Sequence, residues 1–286
     1  MRDITSAQLP EYAKKGFVWV DVERPSKEEF DLLQKTFPLH PLACDPVFEA
    51  HIRAKFIDFE KHLLLIFHEP LEEKGHSFAR IIIFVGKNFL VTVHPRSLPS
   101  IDSMRELAQK NPELVMKGSS FLTYHLLDRI VDNYFPILDD LDYALDDLEK
   151  KIFVSNGKQT LKEVFRLKRQ ILELRKMVSP GREVLASLAR HDSTIISKDS
   201  ILYFRDVYDH IIRISDTVDG YRDLLTSVLD VYISVQSNRM NDVMKVLTVI
   251  ATVMLPLTLI VGFYGMNITF PEVGLFGENT YYFILA

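Results

Sequence analysis

The chain has 286 residues and a formal net charge of −5, from 39 acidic and 34 basic side chains. This length allows two domains, and the mild acidity argues against a nucleic-acid partner, which needs a basic surface. The single cysteine, Cys44, cannot form an internal disulfide, and the polar, charged N-terminus lacks a signal-peptide pattern. A reducing cytosolic setting is therefore favoured for most of the chain.

Residues 1–118 alternate strand and helix patterns and predict a cytosolic α+β domain. The apolar run at 17–22 predicts a strand. Ser26 and Glu29 then give the pattern of a helix capping box, in which each residue bonds the backbone of the other.

Two later stretches of this domain, 55–70 and 79–95, are rich in Ile, Phe, Val and Leu around a polar break. Each predicts a pair of strands. No glycine-rich phosphate-binding motif, zinc-ligand spacing or catalytic triad pattern is legible, and we predict no enzymatic activity.

Strand patterns end there, and residues 119–245 predict a helical hairpin followed by a long stalk helix. The helix at 119–153 is acidic, which is typical of a solvated face, although such a run also concentrates cations near a pore mouth. The helix at 159–190 is basic and contains Pro180, which predicts a kink or break. The complementary charges favour an antiparallel pair.

The stalk helix begins near Ser197, has no strong break signal before Pro256 and is predicted to enter the membrane. Four aspartates recur at seven-residue steps: Asp209, Asp216, Asp223 and Asp230. Residues with this spacing stay in one line along a long helix, here called the seam, only where helices supercoil or cluster about an axis. Asp223 and Asp230 have no basic residue three or four positions away that would explain them as helical ion pairs. Such a seam is reasonable where it faces water or divalent cations.

Residues 246–266 contain no Lys, Arg, Asp, Glu or His and can cross a hydrocarbon core of ~30 Å, so they predict a transmembrane helix. Because no Lys or Arg follows Lys245, the preceding domain is expected in the cytoplasm. Two neighbouring series of side chains, each at seven-residue steps, form one stripe of mostly polar and small groups that includes Asn241, Met244, Thr248, Leu255, Thr258 and Gly262. The stripe suits a pore lining and equally a face that packs membrane helices together.

The span ends in Tyr264-Gly265-Met266-Asn267, and the run before it contains Asn241, Met244, Lys245, Leu247, Thr248, Pro256, Leu257 and Thr258. Together these residues resemble the CorA family of magnesium channels, within the superfamily that carries two transmembrane helices and a Gly-x-Asn signature. The soluble part resembles the same family, at Val18-Trp19-Val20-Asp21 and Leu39-His40-Pro41-Leu42.

The resemblance implies a homopentameric Mg²⁺ channel, which tolerates Co²⁺ or Ni²⁺, in the inner (plasma) membrane in contact with its lipids. It implies a selectivity filter at Gly265, Met266 and Asn267. The Asn267 amide suits this position because it can bind the water shell of Mg²⁺ without trapping the ion.

The resemblance also places a cytosolic Mg²⁺-sensing site at Asp230, with binding between subunits that gates the channel. Asp223 is a second candidate ligand on the same seam. A further carboxylate is expected from the α+β domain, at Glu72 or Glu73.

Residues 267–280 are predicted to form an extracytoplasmic loop, in which Glu272 and Glu278 attract cations. Family members carry a second transmembrane helix, so residues 281–286 are expected to begin that helix in a truncated form. Two alternatives stay open: a zinc transporter of the same superfamily, and a membrane-anchored scaffold that conducts nothing.

Overall fold

The structure, a computed structural model, describes residues 9–13, 16–49, 52–71, 77–154, 157–190 and 193–266. The chain divides into two compact units, residues 1–231 and 232–286. The predicted α+β segment and the helices that follow it, up to residue 231, therefore share the first unit.

Five strands of the first unit form one sheet: β1 (Val18–Glu23), β2 (Lys55–Asp58), β3 (His62–Leu71), β4 (Ser77–Gly86) and β5 (Phe89–His94). Their spatial order is β1-β5-β4-β3-β2. β1 runs parallel to β5, whereas β2–β3, β3–β4 and β4–β5 are antiparallel. Both predicted strand pairs and the α+β class are confirmed.

Short helices cover one face of the sheet: α1 (Leu9–Ala13), α2 (Lys27–Thr36), a 3₁₀ helix (Pro41–Ala43) and α3 (Asp45–Phe48). Phe30 and Leu33 of α2 pack against Leu64 and Phe84 of the sheet in one buried cluster. The predicted capping box fixes the start of α2. The Glu29 N–H donates to Ser26 Oγ at 3.2 Å, and the Ser26 N–H donates to the Glu29 carboxylate at 2.8 Å.

Alternate residues of the strands are buried on the opposite face. Five further helices follow the sheet in the chain: α4 (Pro99–Lys110), α5 (Pro112–Met116), α6 (Ser119–Asp132), α7 (Phe135–Val154) and α8 (Gly157–Arg190). α6 contacts β3, β4 and β5. Lys151 of α7 lies 3.5 Å from the carboxylate of Glu163 on α8. This ion pair joins the two helices in the sense opposite to the predicted one, which placed the acids on the first helix and the bases on the second.

The single helix predicted for 119–153 was wrong, because the chain breaks at Asn133 and Tyr134 between α6 and α7. Both side chains are engaged by β3. Asn133 Nδ2 donates to the Glu69 carboxylate at 2.8 Å, and the Tyr134 hydroxyl donates to the His68 carbonyl at 2.7 Å. Pro136, at the second position of α7, is compatible with a helix start and was the missed signal.

Pro180 lies inside α8, which is assigned as one helix from Gly157 to Arg190. The helix break that the sequence predicted as one possibility at Pro180 is therefore absent. The next residue, Gly181, packs so closely that an added Cβ would lie 2.9 Å from the Phe67 ring and 3.1 Å from Ile211. The helix therefore continues where tight packing against β3 supports it.

The last helix, α9, runs from Lys198 to Tyr264 over 67 residues, as the absence of early break signals predicted. In the first unit its buried face includes Phe204, Val207, Ile211 and Ile214. In the second unit Tyr232, Val235 and Gln236 are half-buried, and every residue of α9 from 237 onward is exposed. This part contains an 18-residue stretch with a mean hydropathy of 2.4 and none of it buried, so it is apolar enough to cross a membrane.

Candidate cation pathway and carboxylate cluster

The six predicted stripe residues all lie on α9, and all are exposed in the single chain. Leu255 is 69 % exposed, and the off-stripe Leu259 is 70 % exposed. Burial therefore does not separate the stripe from the rest of the span. The hydrogen bonds of the threonines in the span describe the chemical groups that the stripe presents.

Each threonine hydroxyl in the span is turned back along the helix. Thr248 Oγ1 donates to the Met244 carbonyl, and Thr258 Oγ1 donates to the Met254 carbonyl, both at 2.8 Å. Thr252 makes the same bond to the Thr248 carbonyl at 2.8 Å. Since the proton of each hydroxyl is used within the helix, the oxygen offers its lone pairs outward as an acceptor.

The end of α9 depends on a close approach at Gly265. Its N–H donates to the Val261 carbonyl at 2.8 Å, and an added Cβ would lie 3.0 Å from that same oxygen. Met266 follows and is about half exposed, at 49 %. Asn267 lies outside the described residues, so the structure describes only Gly265 and Met266 of the predicted filter.

The predicted sensing residues have different surroundings. Both Nε and Nη2 of Arg222 donate to one oxygen of Asp223, at 3.0 and 2.8 Å, so Asp223 has a cationic partner that the three-or-four spacing did not reveal. Asp230 is exposed and, within the described ranges, has no basic group at ion-pair distance. Glu72, Glu73, Glu272 and Glu278 lie outside those ranges.

Three other ligand groups come together in the first unit. Asp128 and Asp132 are one turn apart on α6, and His210 projects from α9, with ligand atoms within 4.8 Å of one another. All three residues are half-buried. Burial raises the pKa of Asp128, and the charges of Asp132 and Asp206 add to this effect. The imidazole Nδ1 of His210 is buried without a partner among the described residues.

Sequence reasoning missed this cluster because Asp132 and His210 lie on different helices, 78 positions apart in the chain. The visible signal was the i,i+4 pair of aspartates, which places both carboxylates on one helical face. That pair was included in the acidic run at 119–153. In the structure α6 carries the half-buried pair, whereas acids of α7 such as Asp139 and Asp140 are exposed.

The family profile described as CorA-like Mg2+ transporter protein matches residues 14–286. The chain belongs to this family. The cobalt/magnesium transport protein CorA of Thermotoga maritima is 38 % identical over 251 residues, covering 85 % of this chain and 72 % of the relative. The protein of the same name from Methanocaldococcus jannaschii is 28 % identical over 255 residues, covering 88 % of this chain and 80 % of the relative.

Structural comparison agrees with the sequence. The complete structure of the CorA magnesium transporter from M. jannaschii has a TM-score of 0.79 and 26 % identity, and the match covers 94 % of this chain and 85 % of that one. As a CorA family member, the chain is a divalent-cation transporter of the inner membrane with its soluble domain in the cytoplasm. The predicted family, location and membrane helix are thus confirmed.

Proposed function

We propose that the chain is one subunit of a homopentameric channel that conducts Mg²⁺ along the α9 stripe. The observation that carries the proposal is the match of residues 14–286 to the family of CorA-like Mg²⁺ transporters. The hydroxyls of Thr248 and Thr258, whose protons are used within the helix, are compatible with it. Mg²⁺ keeps most of its waters when it binds proteins. Since those waters donate hydrogen bonds outward, acceptor oxygens suit the passage of the hydrated ion.

Pro256 contributes another acceptor beside the stripe. It lies inside α9 and has no N–H, so the carbonyl four residues earlier, on Thr252, loses its helical donor. An unpaired carbonyl within a membrane is costly unless it faces protein or water. A water-filled passage, or a neighbouring helix, would satisfy this oxygen.

Several copies are needed because one helix supplies only one stripe. Cyclic symmetry would place equivalent stripes around an axis, and the family resemblance implies five. The apolar side chains around the rest of the span would then contact lipid and neighbouring helices. In this arrangement the apolar side chains of Met244 and Leu255 would narrow the pore, and the pore would close to ions where water leaves these narrow parts.

The ends of the passage follow from sequence. We propose that Gly265, Met266 and Asn267 form the selectivity filter, with the amide of Asn267 as the first contact for the hydrated ion. Glu272 and Glu278 would raise the local cation concentration outside. Mg²⁺ is the proposed main ion, with Co²⁺ and Ni²⁺ tolerated.

Gating by cytosolic Mg²⁺ is the second part of the proposal. Asp230 is the predicted ligand between subunits, and its exposed carboxylate is available to another copy. The cluster of Asp128, Asp132 and His210 is a second candidate, because it already brings three ligand atoms together within one chain. Carboxylate oxygens suit Mg²⁺, and imidazole suits Co²⁺ or Ni²⁺ better.

The test of the pathway is Mg²⁺ flux into vesicles that contain the purified full-length protein. Thr258→Val removes a stripe hydroxyl at nearly constant volume and should lower flux roughly tenfold, the effect of one lost hydrogen bond in the pathway. Thr217→Val is the control, because it removes the same type of helical bond from the part of α9 before the membrane span. Equal losses in both variants would mean that the lost helical bond, and not the pathway, lowers the flux.

A second variant tests the filter. Asn267→Ala should abolish Mg²⁺ flux while leaving the oligomeric mass in detergent unchanged, because the amide recruits the hydrated ion and does not hold the subunits together. Near-normal flux would overturn the filter assignment. Flux of Zn²⁺ without Mg²⁺ would support the zinc-transporter alternative, and an assembled wild type without any flux would support the scaffold.

A further inference from the structure

A large cavity in the first unit lies between the sheet and α8, and the cation pathway does not involve it. Its volume is about 990 Å³, at the upper end of the range of small-molecule sites. Residues before β2, the facing ends of β3 and β4, residues after β5 and one stretch of α8 line it. All these segments belong to one compact unit.

The cavity lining is strongly cationic. Five of its residues are basic: Arg53, Arg80, Arg96, Arg175 and Lys176. No Asp or Glu is among the described residues that line it, although acidic side chains outnumber basic ones in the chain by 39 to 34. This separation of charge in an acidic protein favours an anionic ligand.

Two of these cations are held by the protein itself. Arg80 Nη1 donates to the Pro46 carbonyl and Nη2 to the Val47 carbonyl, both at 3.0 Å. The backbone carbonyl of Glu49 is a further partner, and the charge of Glu49 acts on the same guanidinium.

The second is Arg175, whose Nε lies 3.0 Å from the Asp219 carboxylate. Arg53 and Lys176 differ from both, because in the part of the chain that the structure describes neither has a carboxylate at ion-pair distance. Both side chains are exposed. These two cations are therefore available to a bound anion.

The remainder of the lining is largely apolar: Phe78, Pro95, Leu172, Met177 and Pro180. His68 also lines the cavity, and its Nδ1 is buried without a hydrogen-bond partner among the described residues. Burial lowers the pKa of His68, and the charge of Arg80 lowers it further. A neutral imidazole of this kind can pair with a hydroxyl or amino group of a ligand.

We propose that this cavity binds a nucleoside polyphosphate. Its phosphates would contact Arg53 and Lys176, since guanidinium and ammonium groups form charge-assisted hydrogen bonds with phosphate oxygens. Its planar base would lie against the apolar lining near Phe78 and Met177. The combination of unpaired cations and an apolar surface fits such a ligand better than it fits a free phosphate, which would leave the apolar part of the cavity unused.

The test is binding of a fluorescent ATP analogue to the full-length protein in detergent, with EDTA present so that divalent-cation transport plays no part. The double variant Arg53→Glu/Lys176→Glu should weaken binding roughly tenfold or more, because contacts between charged groups contribute about that much each. The matched control is Lys162→Glu/Arg169→Glu, which makes the same charge change at exposed α8 positions outside the cavity. It should bind within about twofold of the wild type.

Competition separates the two parts of the ligand. ATP should displace the probe at lower concentration than tripolyphosphate, because only ATP has a base for the apolar lining. Equal potency of the two competitors would overturn the nucleotide assignment. Absence of saturable binding to the wild type, or equal weakening by both double variants, would overturn the site itself.

Discussion

At the scale of single residues, Glu69 is the most constrained carboxylate in the sheet. It is fully buried at the junction of β3, α4 and the break after α6. One oxygen accepts from the Ser100 N–H and from Asn133 Nδ2, both at 2.8 Å. The other accepts from Ser100 Oγ at 2.5 Å. The residue thus joins three elements through hydrogen bonds, at the expense of burying a titratable group.

Burial raises the pKa of Glu69, although the hydrogen bonds from Ser100 and Asn133 oppose the shift. A raised pKa in the folded state means that its stabilising effect is present below the unfolded pKa and is lost as the pH rises through the folded pKa. Glu69→Gln keeps both partners and removes the titration. We expect the variant to match the wild type at about pH 4 and to unfold at a higher temperature at about pH 8.

Thermal unfolding of the protein in detergent, followed by circular dichroism, measures this difference. Glu106→Gln is the control, because Glu106 is an exposed carboxylate on α4 with a side chain 71 % accessible. It should show no comparable change between the two pH values. A Glu69→Gln variant that is less stable than the wild type at high pH would mean that the ionised carboxylate stabilises the fold.

At the scale of elements, one glycine of α8, Gly181, and one glycine of α9, Gly220, make opposite predictions. Gly181 has the Phe67 ring within 2.9 Å of an added Cβ, whereas Gly220 has nothing within 4 Å. Gly181→Ala should destabilise the protein by about 1–3 kcal/mol, because the buried Phe67 must move. Gly220→Ala should stabilise it by about 0.5–1 kcal/mol through helix propensity.

Chemical denaturation of the two variants side by side tests this pair, since the same substitution on neighbouring helices differs only in surroundings. If both variants gained stability, the contact of α8 with β3 would be looser than the structure shows. If both lost stability, Gly220 would pack against something outside the single chain, such as another subunit.

The elements that could be predicted from sequence are those that depend on residues close together in the chain. The capping box of Ser26 and Glu29 depends on residues three positions apart, and the two strand pairs depend on short apolar runs with a polar turn. The break at Asn133 and Tyr134 has a tertiary cause, because their side chains bond β3 more than 60 positions earlier in the chain. The cluster of Asp128, Asp132 and His210 depends on packing between α6 and α9, which spacing within one helix does not reveal.

At the scale of the whole molecule, the same α9 helix serves two environments. Its residues up to 231 bury one face, with members such as Val207 and Ile214, while the aspartates at seven-residue steps remain exposed. From residue 237 onward the helix is exposed on all sides. The membrane span was predictable because composition alone determines it, whereas the proposed partners of Asp230 would lie on other copies of the chain, which the sequence of one chain does not reveal.

The proposed control by cytosolic Mg²⁺ depends on one of those exposed aspartates, Asp230. If Asp230 faces another subunit, bound Mg²⁺ would bridge carboxylates that otherwise repel each other, and the closed state would be favoured. Loss of the ion would loosen the stalk by a coupling free energy of roughly 1–3 kcal/mol per site. Mg²⁺ at about millimolar concentration should therefore protect the wild-type stalk from limited proteolysis.

Asp230→Lys should be protected without Mg²⁺, because a fixed ammonium supplies the bridging charge. Asp128→Asn tests the alternative cluster, and Asp140→Asn is the control at an exposed position of α7. If Asp230 senses the ion, Asp128→Asn and Asp140→Asn should respond to Mg²⁺ as the wild type does. The opposite pattern, in which Asp230→Lys responds normally and Asp128→Asn loses protection, would move the sensing site to the α6–α9 cluster.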